Sequence, residues 1–195
     1  MTEAQIADLK ACTEVLRKGG VIVYPTDTIW GIGCDACNSD AVRRIFGLKK
    51  RADSKALITL VGSGGQLERT VADVPEVAWQ LMEYNEKPLT IVYDGASPTA
   101  GIAPELCAAD GTIGVRLTAD EFCAALCLNL GRPVVSTSAN VSGGPSPGCF
   151  GEISRAILDG ADYVCTARRD EHPSQAAPST VMRLGRGGLF KVLRP

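Results

Sequence analysis

Between Pro133 and Ser146 the chain reads Pro-Val-Val-Ser-Thr-Ser-Ala-Asn-Val-Ser-Gly-Gly-Pro-Ser. Val134 and Val135, both β-branched, read as the end of a buried strand, and Ser136, Thr137, Ser138, Asn140, Ser142 and Ser146 follow at once. Small neutral donors at a strand end, with Gly143 and Gly144 freeing the backbone, suit a phosphate or a carboxylate. The plain alternative is a polar turn closed by local Asx- and Ser-type hydrogen bonds.

The cations sit elsewhere. Lys49, Lys50, Arg51 and Lys55 fall within seven residues, at the end of a helical pattern and just before the apolar run Ala-Leu-Ile-Thr-Leu-Val. A helix C-terminus favours positive charge in any case, but a basic loop beside a sheet end favours anion binding. Arg116 lies inside the apolar run Thr-Ile-Gly-Val-Arg-Leu, residues 112 to 117. A buried arginine without a partner is costly, so it must form an ion pair or face a ligand. Residues 25 to 33, Pro-Thr-Asp-Thr-Ile-Trp-Gly-Ile-Gly, read as a compact loop after an apolar strand. Open α/β sheets place ligands at such loops; Trp30 in the core and Asp27 capping a turn is the plainer reading.

Other chemistries find little support. The single histidine, His172, is remote from these motifs, and the chain contains neither a Gly-x-Ser-x-Gly elbow nor a Gly-x-x-x-x-Gly-Lys-Ser/Thr loop. Eight cysteines are scattered along the chain, and the only Cys-x-x-Cys, Cys34 to Cys37, has no second pair. They read as small buried hydrophobes rather than metal ligands or disulfides.

The elements that must carry these residues follow from periodicity. Ile6, Leu9, Cys12, Val15 and Leu16 recur at helical spacing before Gly19-Gly20, predicting a helix over 3–18 and a strand over 21–24. Further helices are predicted over 39–50, over 66–84 with a break at Pro75, from an Asp120 cap to Asn129, and over 150–158. Strands are predicted over 56–61, 88–93, 112–117, 163–165, 179–182 and 189–193, and a solvated loop over 166–178. The 195 residues, 45% hydrophobic and 22% charged, have no repeat and no dividing linker. The expectation is one α/β domain over 1–195, with a twisted, mixed β-sheet flanked by helices. The net charge of −2 argues against general nucleic-acid affinity. No apolar run approaches the roughly 20 residues that span a bilayer. The acidic N-terminus is unlike a signal peptide, so the expectation is a cytoplasmic protein without membrane contact.

Four pieces coincide in order and spacing: Tyr-Pro-Thr-Asp-Thr with Gly-Ile-Gly, Leu-Lys-Lys-Arg before a strand, Ser-Thr-Ser-Ala-Asn-Val-Ser-Gly, and Pro-Ser-Thr-Val near Leu-Arg-Pro. Together they resemble the YrdC-type family of L-threonylcarbamoyl-AMP synthases over nearly the whole chain. The resemblance implies the YrdC-like fold and a nucleotidyltransferase making threonylcarbamoyl-adenylate and diphosphate from L-threonine, bicarbonate or CO2, and ATP. The product would pass to the machinery that installs threonylcarbamoyladenosine in tRNA. It further implies that Lys49, Arg51, Ser138 and Asn140 form the catalytic signature, and that Thr28, Arg116, Ser136 and Ser179 hold threonine. Arg51, Lys55, Thr112, Ser138, Ser146 and Arg194 would surround ATP. Mg²⁺ is expected to accompany ATP, with no organic cofactor. Two positions depart from the family pattern: Glu86-Lys87-Pro88 replaces a common Pro-Gly-Pro, and Leu60 stands where longer members carry a histidine. The alternative is a YciO-like module of the same fold without synthase activity, using residues 49 to 55 to bind tRNA or double-stranded RNA.

Overall fold

The computed structural model describes residues 1–50, 57–171, 176–185 and 190–195. Its short apolar runs assemble into β1 (Ile22–Tyr24), β2 (Gly31–Gly33), β3 (Ile58–Val61), β4 (Leu89–Tyr93), β5 (Ile113–Leu117), β6 (Val134–Ser138), β7 (Tyr163–Val164), β8 (Thr180–Leu184) and β9 (Phe190–Arg194). They form one nine-stranded sheet in the order β7-β1-β2-β6-β3-β5-β4-β8-β9. The pairs β1–β7, β3–β5 and β4–β8 are parallel and the remaining neighbours antiparallel, so the sheet is mixed as expected.

The helices are α1 (Glu3–Arg17), α2 (Ser39–Lys49), α3 (Gly64–Thr70), α4 (Glu76–Tyr84), α5 (Glu121–Leu130) and α6 (Arg155–Gly160). Their starts follow local chemistry. Thr2 and Gln5 close a capping box on α1, while Asn38 and Asp120 side chains accept N–H bonds at the starts of α2 and α5. Pro75 divides α3 from α4 as its ring requires.

Strand alternation decides where the site can form. On β4 and β5, Leu89, Ile91, Tyr93, Ile113 and Val115 face a core shared with Leu67 and Ala78 of α3 and α4. Burying each such side chain is worth about 2 kcal/mol. The intervening residues Thr90, Val92, Thr112, Gly114 and Arg116 therefore line up on the opposite face. A second core joins α1, α2 and α5 to β1, β2 and β6. Among the described residues no helix is long and apolar enough to cross a membrane.

Four local expectations change. β6 does not end at Val135 but continues through Ser138, because Ile58 pairs with Ser136 on one side and Gly31 with Ser138 on the other. Residues 31 to 33 leave the expected loop as strand β2. Gly33 is required there, since a Cβ would lie 2.3 Å from the Val135 carbonyl oxygen. The helix expected over 150–158 is a 3₁₀ turn, Phe150–Glu152, followed by the short α6. Of the expected loop over 166–178, the first residues are docked: the buried Asp8 carboxylate accepts from Tyr163 Oη, the Thr166 hydroxyl and the Thr166 and Ala167 N–H groups.

Candidate active site

The polar face of the sheet opens into a cavity of about 670 Å³. Thr28 enters its wall from the turn between β1 and β2, Gly31 from β2, Ser136 and Ser138 from β6, and Ser146 from the loop beyond. Gly114 and Arg116 come from β5, Thr90 and Val92 from β4, and Ser179 and Arg194 from the β8–β9 side. On β4 and β5 these positions follow from period-two alternation, so that part of the wall is a product of register, whereas on β6 Thr137 joins Ser136 and Ser138 in the lining.

Arg116 is only 4% exposed, yet it lines the cavity. Its Nη2 lies 3.2 Å from Asp27 Oδ1, and its Nη1 donates to Thr28 Oγ1 at 3.3 Å. Both roles expected for a buried arginine are thus fulfilled, an ion pair and a place on the cavity wall. Asp27 has a task beyond capping a turn, while Trp30 is core, packed edge-on against Phe150. Burial pushes the Asp27 carboxyl above the usual aspartate range, against the opposing pull of Arg116 and with Asp120 adding to the rise. The turn is braced by Thr26, whose hydroxyl lies 2.8 Å from that of Thr28 and donates to the Ile29 carbonyl at 2.7 Å. Arg168, in the left-handed region at φ 62°, ties this turn to Asp120 by bonding the Thr26 carbonyl at 3.2 Å and the Asp120 carboxylate at 3.0 Å.

Across the cavity Ser179 Oγ lies 2.8 Å from Thr90 Oγ1, and Arg194 donates to the Ser179 carbonyl at 2.7 and 3.0 Å. Partial burial, helped by the charge of Arg116, holds the Arg194 guanidinium below its ordinary range. Two cations that sense one another on the wall of one cavity make it a place for anions. At one edge Asp110 accepts from Thr112 Oγ1 at 2.7 Å and pairs with Arg183 at 2.9 Å.

Lys49 stands behind this wall. Lys50, at φ 48°, ends α2 in the left-handed conformation and turns the chain, after which the Lys49 carbonyl accepts from Ser142 N–H at 2.8 Å. The Lys49 ammonium, on a side chain 1% exposed, donates to the Ser138 carbonyl, to the Asn140 carbonyl at 2.8 Å and to Asn140 Oδ1 at 3.3 Å. Asn140 Nδ2 in turn donates to the carbonyls of Val141 and Gly144 at 3.1 and 2.7 Å. Lys49 and Asn140 therefore shape the loop that presents Ser138.

The Sua5/yciO/yrdC family model, described as telomere recombination, matches residues 14–195. The chain belongs to that family. The Halorhodospira halophila threonylcarbamoyl-AMP synthase is 36% identical over 179 residues, covering 90% of this chain and 88% of the relative. Among solved structures, P. abyssi Sua5 complexed with L-threonine superposes with a TM-score of 0.86 at 28% identity, over 97% of this chain and 54% of that one. The chain thus spans just over half of the P. abyssi protein. E. coli YciO superposes with a TM-score of 0.78 at 27% identity, over 97% of this chain and 89% of that one.

Within this Sua5/YciO/YrdC fold, the cavity gathers Thr28, Arg116, Ser136 and Ser179 together with Thr112, Ser138, Ser146 and Arg194. Lys49 and Asn140 sit beneath the Ser138 loop rather than on the cavity wall. Arg51 and Lys55 lie outside the described residues, as does His172. Sequence reasoning missed Asp27 as the partner of Arg116, and with it Thr26, Thr90, Asp110, Arg168 and Arg183. Thr90 had a signal, since its alternation with Leu89 and Ile91 matches that of Arg116 on β5. Asp27 had none, because nothing local in the sequence says which distant cation it meets.

Proposed function

We propose that this chain is an L-threonylcarbamoyl-AMP synthase, with the amino acid near Arg116, Thr28, Ser136 and Ser179 and the nucleotide near Thr112, Ser138, Ser146 and Arg194. One observation carries the reading: a single cavity presents both residue sets, with two arginines, Arg116 and Arg194, on its wall. The threonine amine takes up CO2, or the equivalent from bicarbonate with loss of water, to give a carbamate, and the proton released passes to solvent. A carbamate oxygen then attacks the α-phosphorus of ATP and diphosphate leaves. Both partners are anions, so the work required is to hold like charges together in line, which fixed cations and neutral donors do without a dedicated base. Arg116 grips the threonine carboxylate by a pair of parallel hydrogen bonds. Ser138, fixed by Lys49 through its own carbonyl, donates to phosphate or carbamate oxygen without adding charge.

Magnesium enters as part of the MgATP substrate. Among the described residues no group of three or more histidine, cysteine, aspartate or glutamate side chains can hold a metal, and Asp110 is engaged by Thr112 and Arg183. Phosphate oxygens and water would supply most of its ligands. The short-lived mixed anhydride passes to a transferase that modifies tRNA. The test is diphosphate release by the purified protein. Release that requires threonine and bicarbonate together supports the reading, and no release from protein that binds MgATP defeats it.

A further inference from the structure

Among the described residues Arg116 is held from one side only. Nη2 is paired with Asp27 and Nη1 is bonded to Thr28, both on the turn after β1, whereas the buried Nε has no hydrogen-bond partner among the described residues. A planar guanidinium with two of its nitrogens fixed has a single orientation, and its remaining N–H groups are aimed by that constraint. A buried positive charge on a strand also needs a counter-charge before any substrate arrives. Asp27, 3.2 Å away with a side chain 20% exposed, is that charge.

We propose that Asp27 is the positioning residue of the amino-acid end of the cavity: its carboxylate holds Arg116 in the orientation from which the substrate carboxylate is gripped. This rests on the threonine-binding reading above. The support extends outward, since Thr28 is held by Thr26, and the Thr26 carbonyl is held by Arg168, which also pairs with Asp120. Asp27 therefore faces Arg116 from β5, Asp120 from the start of α5 and Arg168 from the segment after β7. It acts in its charged form. With the carboxyl raised by burial, threonine affinity is present above that raised value and declines as pH falls through it, sooner than an ordinary aspartate near 3.9 would allow.

The experiment is calorimetric titration of the full chain with L-threonine and, separately, with MgATP. Asp27→Asn keeps the shape and removes the charge. It is expected to weaken threonine binding at least about tenfold, as loss of a charge-assisted hold implies. MgATP affinity should stay within about twofold, and Asp27→Glu should recover part of the threonine affinity. Unchanged threonine affinity in a folded Asp27→Asn protein overturns the proposal, as does equal loss of MgATP affinity. Should that variant not fold, the wild-type pH profile decides: weakening of threonine but not MgATP on acidification supports Asp27, and a flat threonine profile overturns it. Wild-type protein that binds no threonine overturns it too. Wild-type protein that binds threonine yet releases no diphosphate defeats the synthase reading alone, and the Asp27 comparison still stands on its binding ratio.

Discussion

Lys49 carries its positive charge into the fold and spends three hydrogen bonds on residues 138 to 140, which makes it a builder of the site. The sequence motif groups Lys49 and Asn140 with Ser138, and the three are hydrogen-bonded together, but a motif does not say which member faces the substrate. Lys49→Ala is therefore expected to do two things. It should lower kcat/KM for adenylate formation by a hundredfold or more, about 2.7 kcal/mol. It should also destabilise the protein by about 3 kcal/mol, because buried acceptors lose a charged donor. Paired activity assays and urea denaturation check both, and wild-type stability with lost activity would place Lys49 in the chemistry alone. Asp8 makes a second prediction at this scale. Burial works to raise its carboxyl, but hydrogen bonds from the Ala167 N–H, Tyr163 Oη and Thr166 outweigh it and the carboxyl titrates below the usual range. Its contribution to stability is full above the unfolded value of about 3.9 and is lost as pH falls through the lower folded value. Asp8→Ala should cost about 2 kcal/mol at neutral pH, and the gap from wild type should shrink in acid. Urea melts between neutral pH and pH about 3 measure that gap.

Strand register, more than any loop, decides what this cavity contains. Most element positions were legible because helical spacing, capping residues and β-branched runs agree locally. What was not legible was the third neighbour. Residues 31 to 33 are too short and too rich in glycine to announce a strand, and Ser136 to Ser138 look like a turn until β2 and β3 flank them. The same pairing explains Gly33. Gly33→Ala should push β2 from β6, because the new methyl meets backbone rather than a side chain that can move aside. A loss of about 2 kcal/mol or more is expected in thermal or chemical unfolding, together with weaker substrate binding. A Gly33→Ala protein of wild-type stability would mean that the strands separate at little cost. By contrast, Gly114→Ala meets only Thr90 and Val92 side chains at 3.7 and 4.0 Å, ordinary contact distances. It should therefore be tolerated by the fold while narrowing the cavity.

At the scale of the whole molecule, charges gathered around an open cavity leave part of the stability to be supplied by ligand. With MgATP or threonine at a hundred times its Kd, linkage adds about 2.7 kcal/mol, which for a chain of this size is a rise in Tm of roughly 5–11 °C. Differential scanning fluorimetry with each substrate measures this, and no shift with either would contradict the assignment of the cavity. The sheet order has a consequence for how the chain comes to fold. β7, β1 and β2 form one set of strands, β3, β5, β4, β8 and β9 another, and among the described residues β6 is the only strand that touches both. Until residues 134 to 138 have been synthesised, β2 and β3 each present an open edge, and the two halves have no common hydrogen bond in the sheet. β6 is also the strand that brings Ser136 and Ser138 to the cavity. Joining the two sets of strands and bringing Ser136 and Ser138 to the cavity are therefore one event, dominated by pairings between residues distant in the chain and correspondingly slow, and Ser179 and Arg194 complete the wall only when β8 and β9 follow. On a ribosome, the interval before β6 emerges is when this protein is most exposed to wrong edge-to-edge partners.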